Sequence, residues 1–164
     1  MSGQTVRALW SHLGSHASMA DKVYARAGPA DAFWWLARER DADVQHRSLW
    51  MLRVVDAAAA IAARGFPAAV SLRIPLRIAD DLRPANSGHW QLTVAGGTGT
   101  LDPVAPALAP AAAMHLGARG LAALYAGTPL VTLRQAGLVS GGTAEGDAVL
   151  DAAFAATPYM LDSF

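Results

Sequence analysis

The sequence contains no cysteine, which excludes thiol nucleophiles, dithiol redox chemistry, disulfides and thiolate zinc sites together. Lysine is almost as scarce. Lys22 stands alone among 13 Lys and Arg, which balance 13 Asp and Glu to a formal net charge of +0. A chain without a basic excess is a poor match to nucleic-acid binding driven by phosphate contacts. Charged residues make up only 16% and hydrophobic ones 53%, a composition that specifies a compact domain rather than a disordered one. No run of roughly 18 apolar residues exists to span a membrane, and the first seven residues lack the apolar core of a signal peptide. A cytoplasmic protein is therefore expected. With 164 residues, the chain suits one ordinary domain, or a small domain with an appendage, able to bury about 68–70% of its unfolded surface. The near-zero net charge gives little colloidal protection, which is compatible with burial in a larger assembly.

Hydrophobic spacing divides the chain. From Thr5 to Met19, residues Val6, Leu9, Trp10 and Leu13 form a helical stripe. Asp21 to Ala27 alternates as a short half-buried strand. Gly28-Pro29 is a turn, and Asp31 is placed to cap a helix through Trp34, Trp35 and Leu36. The polar stretch Arg38 to Arg47 is the best internal boundary. The pattern then restarts: Leu49 to Val55 reads as a strand, and Asp56 is placed to cap a helix from Ala57 to Arg64, ended by Gly65. Ala69 to Ile78 is a strand with Val70, Leu72, Ile74, Leu76 and Ile78 on one face, where Pro75 favours an edge position or a bulge. Ala85 to Gly88 is a turn, and His89 to Ala95 is a strand with Trp90, Leu92 and Val94 inward. Gly96 to Gly99 is a further turn. Pro103, Pro106 and Pro110 predict an irregular connection from Leu101. A strand at Ala111–Leu116 and helices at Arg119–Tyr125, Leu130–Gln135 and Glu145–Ala155 complete an α+β layer arrangement. The tail from Thr157 to Phe164 is apolar where termini are usually polar and frayed.

Several constellations suggest chemistry and carry little of it. His12 and His16 have helical metal-ligand spacing, but no third ligand is evident and no metal site is predicted. Asp80 and Asp81 would point to opposite sides of an extended strand, so a single carboxylate holding Asn86 or a backbone amide is the simpler role. Gly96–Gly99 and Gly141-Gly142 lack the phosphate-loop motifs. Arg134 to Gly137 is superficially similar to an acetyltransferase pyrophosphate loop, but the final small residue and the strand-to-helix setting are both missing. No coenzyme-binding residue is expected in this chain. Trp10, Tyr24, Trp34 and Trp35 suit a small core. Adjacent Trp34 and Trp35 cannot share one face, which favours an interface or a pocket wall.

The second half carries five ordered blocks that resemble one family. Leu49, Trp50, Arg53 and Asp56 precede an alanine-rich helix and Arg64. Asp80 is followed by Asn86, Gly88 and Trp90 in an Asn-x-Gly-x-Trp pattern. Leu121, Leu124, Tyr125 and Gly127 form a Leu-x-x-Leu-Tyr-x-Gly block. Leu133 and Gly137 come next, and Asp151 to Phe154 leads through Pro158 to a terminal phenylalanine. Residues 48–164 thus resemble the last domain of the Eis-like (enhanced intracellular survival) GNAT N-acetyltransferases.

That resemblance implies a sterol-carrier-like mixed sheet packed with helices over 48–164. Residues 1–47 would be a short remnant of the second GNAT-like region plus a linker. It also implies that Phe164 presents its terminal carboxylate to an acetyltransferase core as general base for an amine, with Asp162, Trp34 and Trp35 as substrate-pocket candidates. Asp56, Asp80, Asn86, Gly88, Trp90, Tyr125, Gly127 and Gly137 would be structural. Acetyl-CoA is implied for a complete enzyme, with the GNAT core of the same enzyme or homologous subunits as partners, commonly in a homo-oligomer. The isolated chain would be inactive. Two other functions fit the residues: a free-standing sterol-carrier-like module holding an apolar ligand beside Leu121, Leu124, Leu130 and Leu133, or a structural oligomerisation domain.

Overall fold

The computed structural model describes residues 2–37, 42–46, 50–110 and 112–160. The chain divides into two compact units, Met1–Leu49 with Thr157–Phe164, and Trp50–Ala156.

In the first unit, helix α1 spans Gly3–Gly14, and the Ser2 hydroxyl accepts from the Thr5 amide at 3.2 Å. The helix stops five residues short of the expected end at Met19, where glycine's backbone freedom disfavours continuation. Trp10 meets the Phe33 ring at 4.3 Å between centroids. Phe33 opens the short helix α2, Phe33–Leu36, and its amide donates to Asp31 Oδ1 at 2.9 Å. The strand expected at Asp21–Ala27 does not form. Its alternation has no partner ladder among the described residues, and Val23 and Tyr24 are exposed. A lone strand leaves its backbone groups to water and gains nothing from pairing.

The second unit begins its regular structure with α3 (Ala57–Ala63), β1 (Leu72–Ala79), β2 (Gly88–Ala95) and β3 (Thr98–Val104). It continues through β4 (Met114–Gly117), α4 (Ala118–Tyr125), α5 (Leu130–Gln135), β5 (Val139–Gly141) and α6 (Ala144–Phe154). The described residues form a five-stranded sheet of order β3-β2-β1-β4-β5. The β1–β4 pair is parallel and the others are antiparallel. This is the expected α+β architecture, a mixed sheet packed with helices. Leu76, Ile78, Leu92, Val94, Met114 and Leu116 point to one side and join Leu124, Leu130, Leu133, Leu150 and Phe154 in a single core. Period-two burial along β1 and β4 puts the alternate residues, Arg73, Arg77 and His115 among them, on the opposite, open face.

The sheet corrects several expectations. The lead-in from Trp50 to Val55 forms no strand; the carbonyls of Val54 and Val55 accept from the Asn86 side chain instead. Pro75 lies in the central strand rather than at an edge. The β4 ladder begins only at Leu76↔Met114, so β1 lacks a neighbour on that side at Pro75 and the missing amide costs no ladder bond. Leu101 to Val104 belongs to β3 instead of an irregular connection. Ala95 pairs with Thr98 across Gly96 and Gly97, whose φ values of +58° and +86° make the tight hairpin turn that fixes this register. Pro103 is tolerated because β3 is an outer strand. The three-residue β5, too short to show periodicity, went unpredicted.

Arg64, at the end of α3, ties the helical layer together. Its guanidinium donates to the Tyr125 carbonyl at 2.7 Å and the Phe154 carbonyl at 3.2 Å, the last residues of α4 and α6. A cation suits the negative ends of two helices. The same group sits 5.0 Å from the Tyr125 ring centroid and 5.1 Å from that of Phe154, within cation–π range. Arg64→Met should therefore cost about 2 kcal/mol in urea denaturation. Arg64→Lys should recover less than half of that, because one ammonium cannot present the same planar fork.

Candidate functional site

Two of the candidate residues, Asp162 and Phe164, lie outside the described residues. The segment leading to them does not, and within the first unit it has a defined seat. The Tyr159 ring lies against Gly28 so closely that a Cβ there would fall 3.0–3.2 Å from three ring atoms. Gly28 is buried, and its carbonyl accepts the Trp34 indole N–H at 2.8 Å. Phe33 packs edge-on to Trp34 at 5.4 Å. The missing side chain lets the tyrosine ring approach the backbone closely; a Cβ here would push the ring away by a few tenths of an ångström. Trp34 is thus held by a hydrogen bond and a ring contact, while the neighbouring Trp35 remains 88% exposed. The two adjacent indoles do part company, one into the local aromatic cluster and one outward.

The remaining candidates lie in the second unit and build a buried polar node. Asp80 ends the run of β1 and is 3% exposed; Asn86 is likewise 3% exposed. Asp80 Oδ1 accepts from the Arg53 guanidinium at 2.6 Å and from the Leu82 and Arg83 amides. Its Oδ2 accepts from Asn86 Nδ2 at 3.2 Å. Asn86 Oδ1 takes the Ala57 amide at 2.9 Å, and the Asn86 carbonyl takes the Trp90 indole N–H at 3.0 Å. Asp56 caps α3 through the Ala59 amide at 2.9 Å. Gly88 opens β2. Tyr125 donates its hydroxyl to the Ala60 carbonyl. Gly127 and Gly137 follow α4 and α5 with positive φ, Gly127 tight against the Ala156 backbone. Asp81 is exposed and has no part in the node, so the adjacent carboxylates do not act as a pair.

Burial disfavours the charged form of Asp80, but hydrogen bonds from Asn86 and the Arg83 amide, with the Arg53 charge, outweigh it and hold the carboxyl below its usual value. With both carboxylate oxygens accepting hydrogen bonds from the protein and the pKa held down, Asp80 is a poor general base. The Arg134–Gly137 segment is equally committed. Arg134 pairs with Asp147 and donates to the Gly141 carbonyl at 2.7 Å, and the hydrogen bond to Asp147 raises its pKa despite partial burial. The Gly137 and Leu138 amides bond the Arg134 and Leu133 carbonyls. No pyrophosphate cradle forms there, and this segment does not fit acetyl-CoA. His16 Nδ1 donates to the His12 carbonyl at 2.8 Å, and no metal-holding cluster occurs among the described residues. Leu121, Leu124, Leu130 and Leu133 are all core residues.

Sequence reasoning missed two partnerships. In the sequence Arg53 stands only within the family-like lead-in block, and its pairing with Asp80 joins residues far apart in the chain. The seat of Tyr159 on Gly28 spans most of the chain and left no local trace beyond a glycine beside a proline.

Two tests follow. The depressed Asp80 pKa means that its contribution to stability is full above the ordinary aspartate value of 3.8 and is lost as pH falls through the lower folded value. Asp80→Asn should be less stable than the parent at pH 7, with the gap narrowing below pH ~4 in thermal melts. Gly28→Val should unseat Tyr159, so that carboxypeptidase trims the tail about tenfold faster by mass spectrometry, while the fold of the second unit is unchanged by circular dichroism.

Comparison with known proteins places this arrangement. Residues 57–161 match the sterol carrier protein domain family. The structure is similar to a GCN5-related N-acetyltransferase from Kribbella flavida, with 51% identity and a TM-score of 0.89, covering 100% of this chain and 41% of that one. It is also similar to a GCN5-related N-acetyltransferase from Anabaena variabilis ATCC 29413, with 30% identity and a TM-score of 0.90, covering 99% and 41%. Eis1 from Mycobacterium abscessus shares the fold over 68% of this chain and 27% of its own, at 24% identity and a TM-score of 0.53. No curated protein sequence matches. The chain therefore spans about two-fifths of the length of its acetyltransferase relatives, 41% in both cases. Among the described residues no helix is long and apolar enough to cross a membrane. With the family match extending from α3 through the whole sheet and past α6, the chain belongs to the sterol carrier protein domain family.

Proposed function

We propose that this chain is the C-terminal region of an Eis-like, acetyl-CoA-dependent amine N-acetyltransferase. It contributes a terminal carboxylate and part of the substrate pocket, and is not catalytic alone. The observation that carries this reading is the 51% identity to the Kribbella flavida GCN5-related N-acetyltransferase across 100% of the chain. Its supply of acetyl-CoA would come from a GNAT core elsewhere in the same enzyme or in a homologous subunit of an oligomer, since the Arg134–Gly137 segment is committed to its own helix end.

Within this reading, the Phe164 carboxylate accepts the proton of the substrate amine, directly or through water. A carboxylate is a weak base in water and a better one when desolvated, which is the use of an apolar tail. Tyr159 on Gly28 fixes the start of that tail. Asp162 adds negative charge for a cationic amine, and the exposed Trp35 supplies an apolar wall. The apolar-carrier alternative has less support, because Leu121, Leu124, Leu130 and Leu133 already face one another in the core.

The test has two arms. The isolated chain should give neither saturable acetyl-CoA binding by calorimetry nor acetylation of a mixed amine panel; binding with turnover would overturn the reading. In the chain joined to its GNAT core, deletion of Phe164 should lower kcat about a hundredfold and leave the KM for acetyl-CoA within about twofold. Unchanged kcat would remove the terminal carboxylate from the mechanism.

A further inference from the structure

The open face of the sheet carries a pocket of about 240 Å³ that neither the polar node nor the tail uses. Arg77, His115, Ser140, Gly117, Gly137 and Leu138 are among its lining residues, and no acidic side chain lines it. The register explains the grouping. Arg77 of β1 is the Cα partner of His115 on β4, and His115 is the partner of Ser140 on β5. All three are exposed, while Ile78, Leu116 and Val139 beside them are buried, so the three polar side chains stand in one row on one face. Adjacent strands are about 4.8 Å apart, which puts the two outer residues about 10 Å apart at the backbone, within an arginine's reach of a shared group.

Among the described residues Arg77 has no counter-charge. Arg53 and Arg134 form ion pairs, and Arg64 bonds two carbonyls. Among the described residues, neither Arg77 nor His115 has a hydrogen-bond or ion-pair partner. The residue opposite Arg77 on its other side is His89, again an imidazole rather than a carboxylate. Asp102 on β3 is occupied with the Thr100 hydroxyl at 2.8 Å. An arginine, a histidine and a serine from three adjacent strands thus line one pocket together with the apolar Leu138. A planar carboxylate would satisfy the fork alone, whereas a tetrahedral phosphate offers oxygens to all three donors.

The geometry points to a binding site for a small phosphate monoester in this pocket, with Arg77 gripping two oxygens, His115 and Ser140 donating to the rest, and Leu138 covering a short apolar substituent. The site is independent of the acetyltransferase reading and of the tail.

Phenyl phosphate titrated into the full chain at pH 7, followed by amide chemical shifts, tests it. Saturable shifts should cluster at residues 77, 115, 117 and 137–140. Arg77→Gln should weaken binding about tenfold or more and His115→Gln about threefold or more. Arg73→Gln, the exposed arginine on the same face outside the pocket, should change it less than about twofold, and benzoate should bind at least about tenfold more weakly than phenyl phosphate. Matching thermal melts of the three variants confirm that these surface changes leave the fold intact. Absence of saturable shifts, an equal loss from Arg73→Gln, or equal binding of benzoate would each overturn the assignment.

Discussion

The second unit is organised around two buried, hydrogen-bonded side chains, Asp80 and Asn86. Burying a carboxylate and an amide is unfavourable unless every polar atom finds a partner, and here the two residues draw partners from three different segments. Arg53 and the carbonyls of Val54 and Val55 bring the lead-in against the sheet, and the Ala57 amide brings the first turn of α3. The Trp90 indole brings the start of β2. Helix α3 is thereby aimed across β3, and its far end delivers Arg64 to the last carbonyls of α4 and α6. One polar node thus sets the direction of a helix whose other end closes the helical layer. Apolar contacts supply most of the driving force for such a core, but they are non-directional; the node supplies the register.

The parts of this fold that were legible in the sequence are those in which local chemistry and tertiary position agree. Asp56 before an alanine run, Gly127 and Gly137 after helical stripes, and the alternation of Leu72, Leu76 and Ile78 each carry their structural meaning within a few residues. The illegible parts depend on partners distant in sequence. Asp21 to Ala27 alternates as well as many strands do, yet it pairs with no strand among the described residues. Leu101 to Val104 carries a proline and still pairs, because the Gly96-Gly97 turn has already fixed the hairpin. Pro75 suggests an edge position or a bulge in the sequence because its actual allowance, a parallel neighbour that begins one position later, is a property of the topology. The pocket at Arg77 and His115 was hidden for the same reason: these residues are 38 positions apart in sequence (115 − 77) and become neighbours only through the β1–β4 ladder.

Strand alternation also explains how β1 can serve structure and surface at once. Leu76 and Ile78 enter the core, Arg77 and Ala79 face outward, and Asp80 returns to the buried side just as the ladder ends. A one-residue slip would exchange these sets and bury Arg77 among leucines. The polar node at Asp80 and the apolar face therefore enforce the same register, and the outward row of Arg77, His115 and Ser140 is its by-product. That row is held by two independent constraints, so its side chains are free to be selected for what they bind.

The tail poses the opposite problem, because it has no ladder to fix it. A chain end with an apolar sequence gains order only where something packs on it. Gly28 provides that place by having no side chain, and Trp34 holds the Gly28 carbonyl in position through its indole N–H. The seat is therefore made of backbone and aromatic surface, both stiff, rather than of charged groups that salt would screen. In the proposed reading, an anchored tail would serve catalysis by raising the effective concentration of a reacting group near its partner. Under that proposal the seat of Tyr159 on Gly28 would matter as much as the chemistry of the residues that follow it.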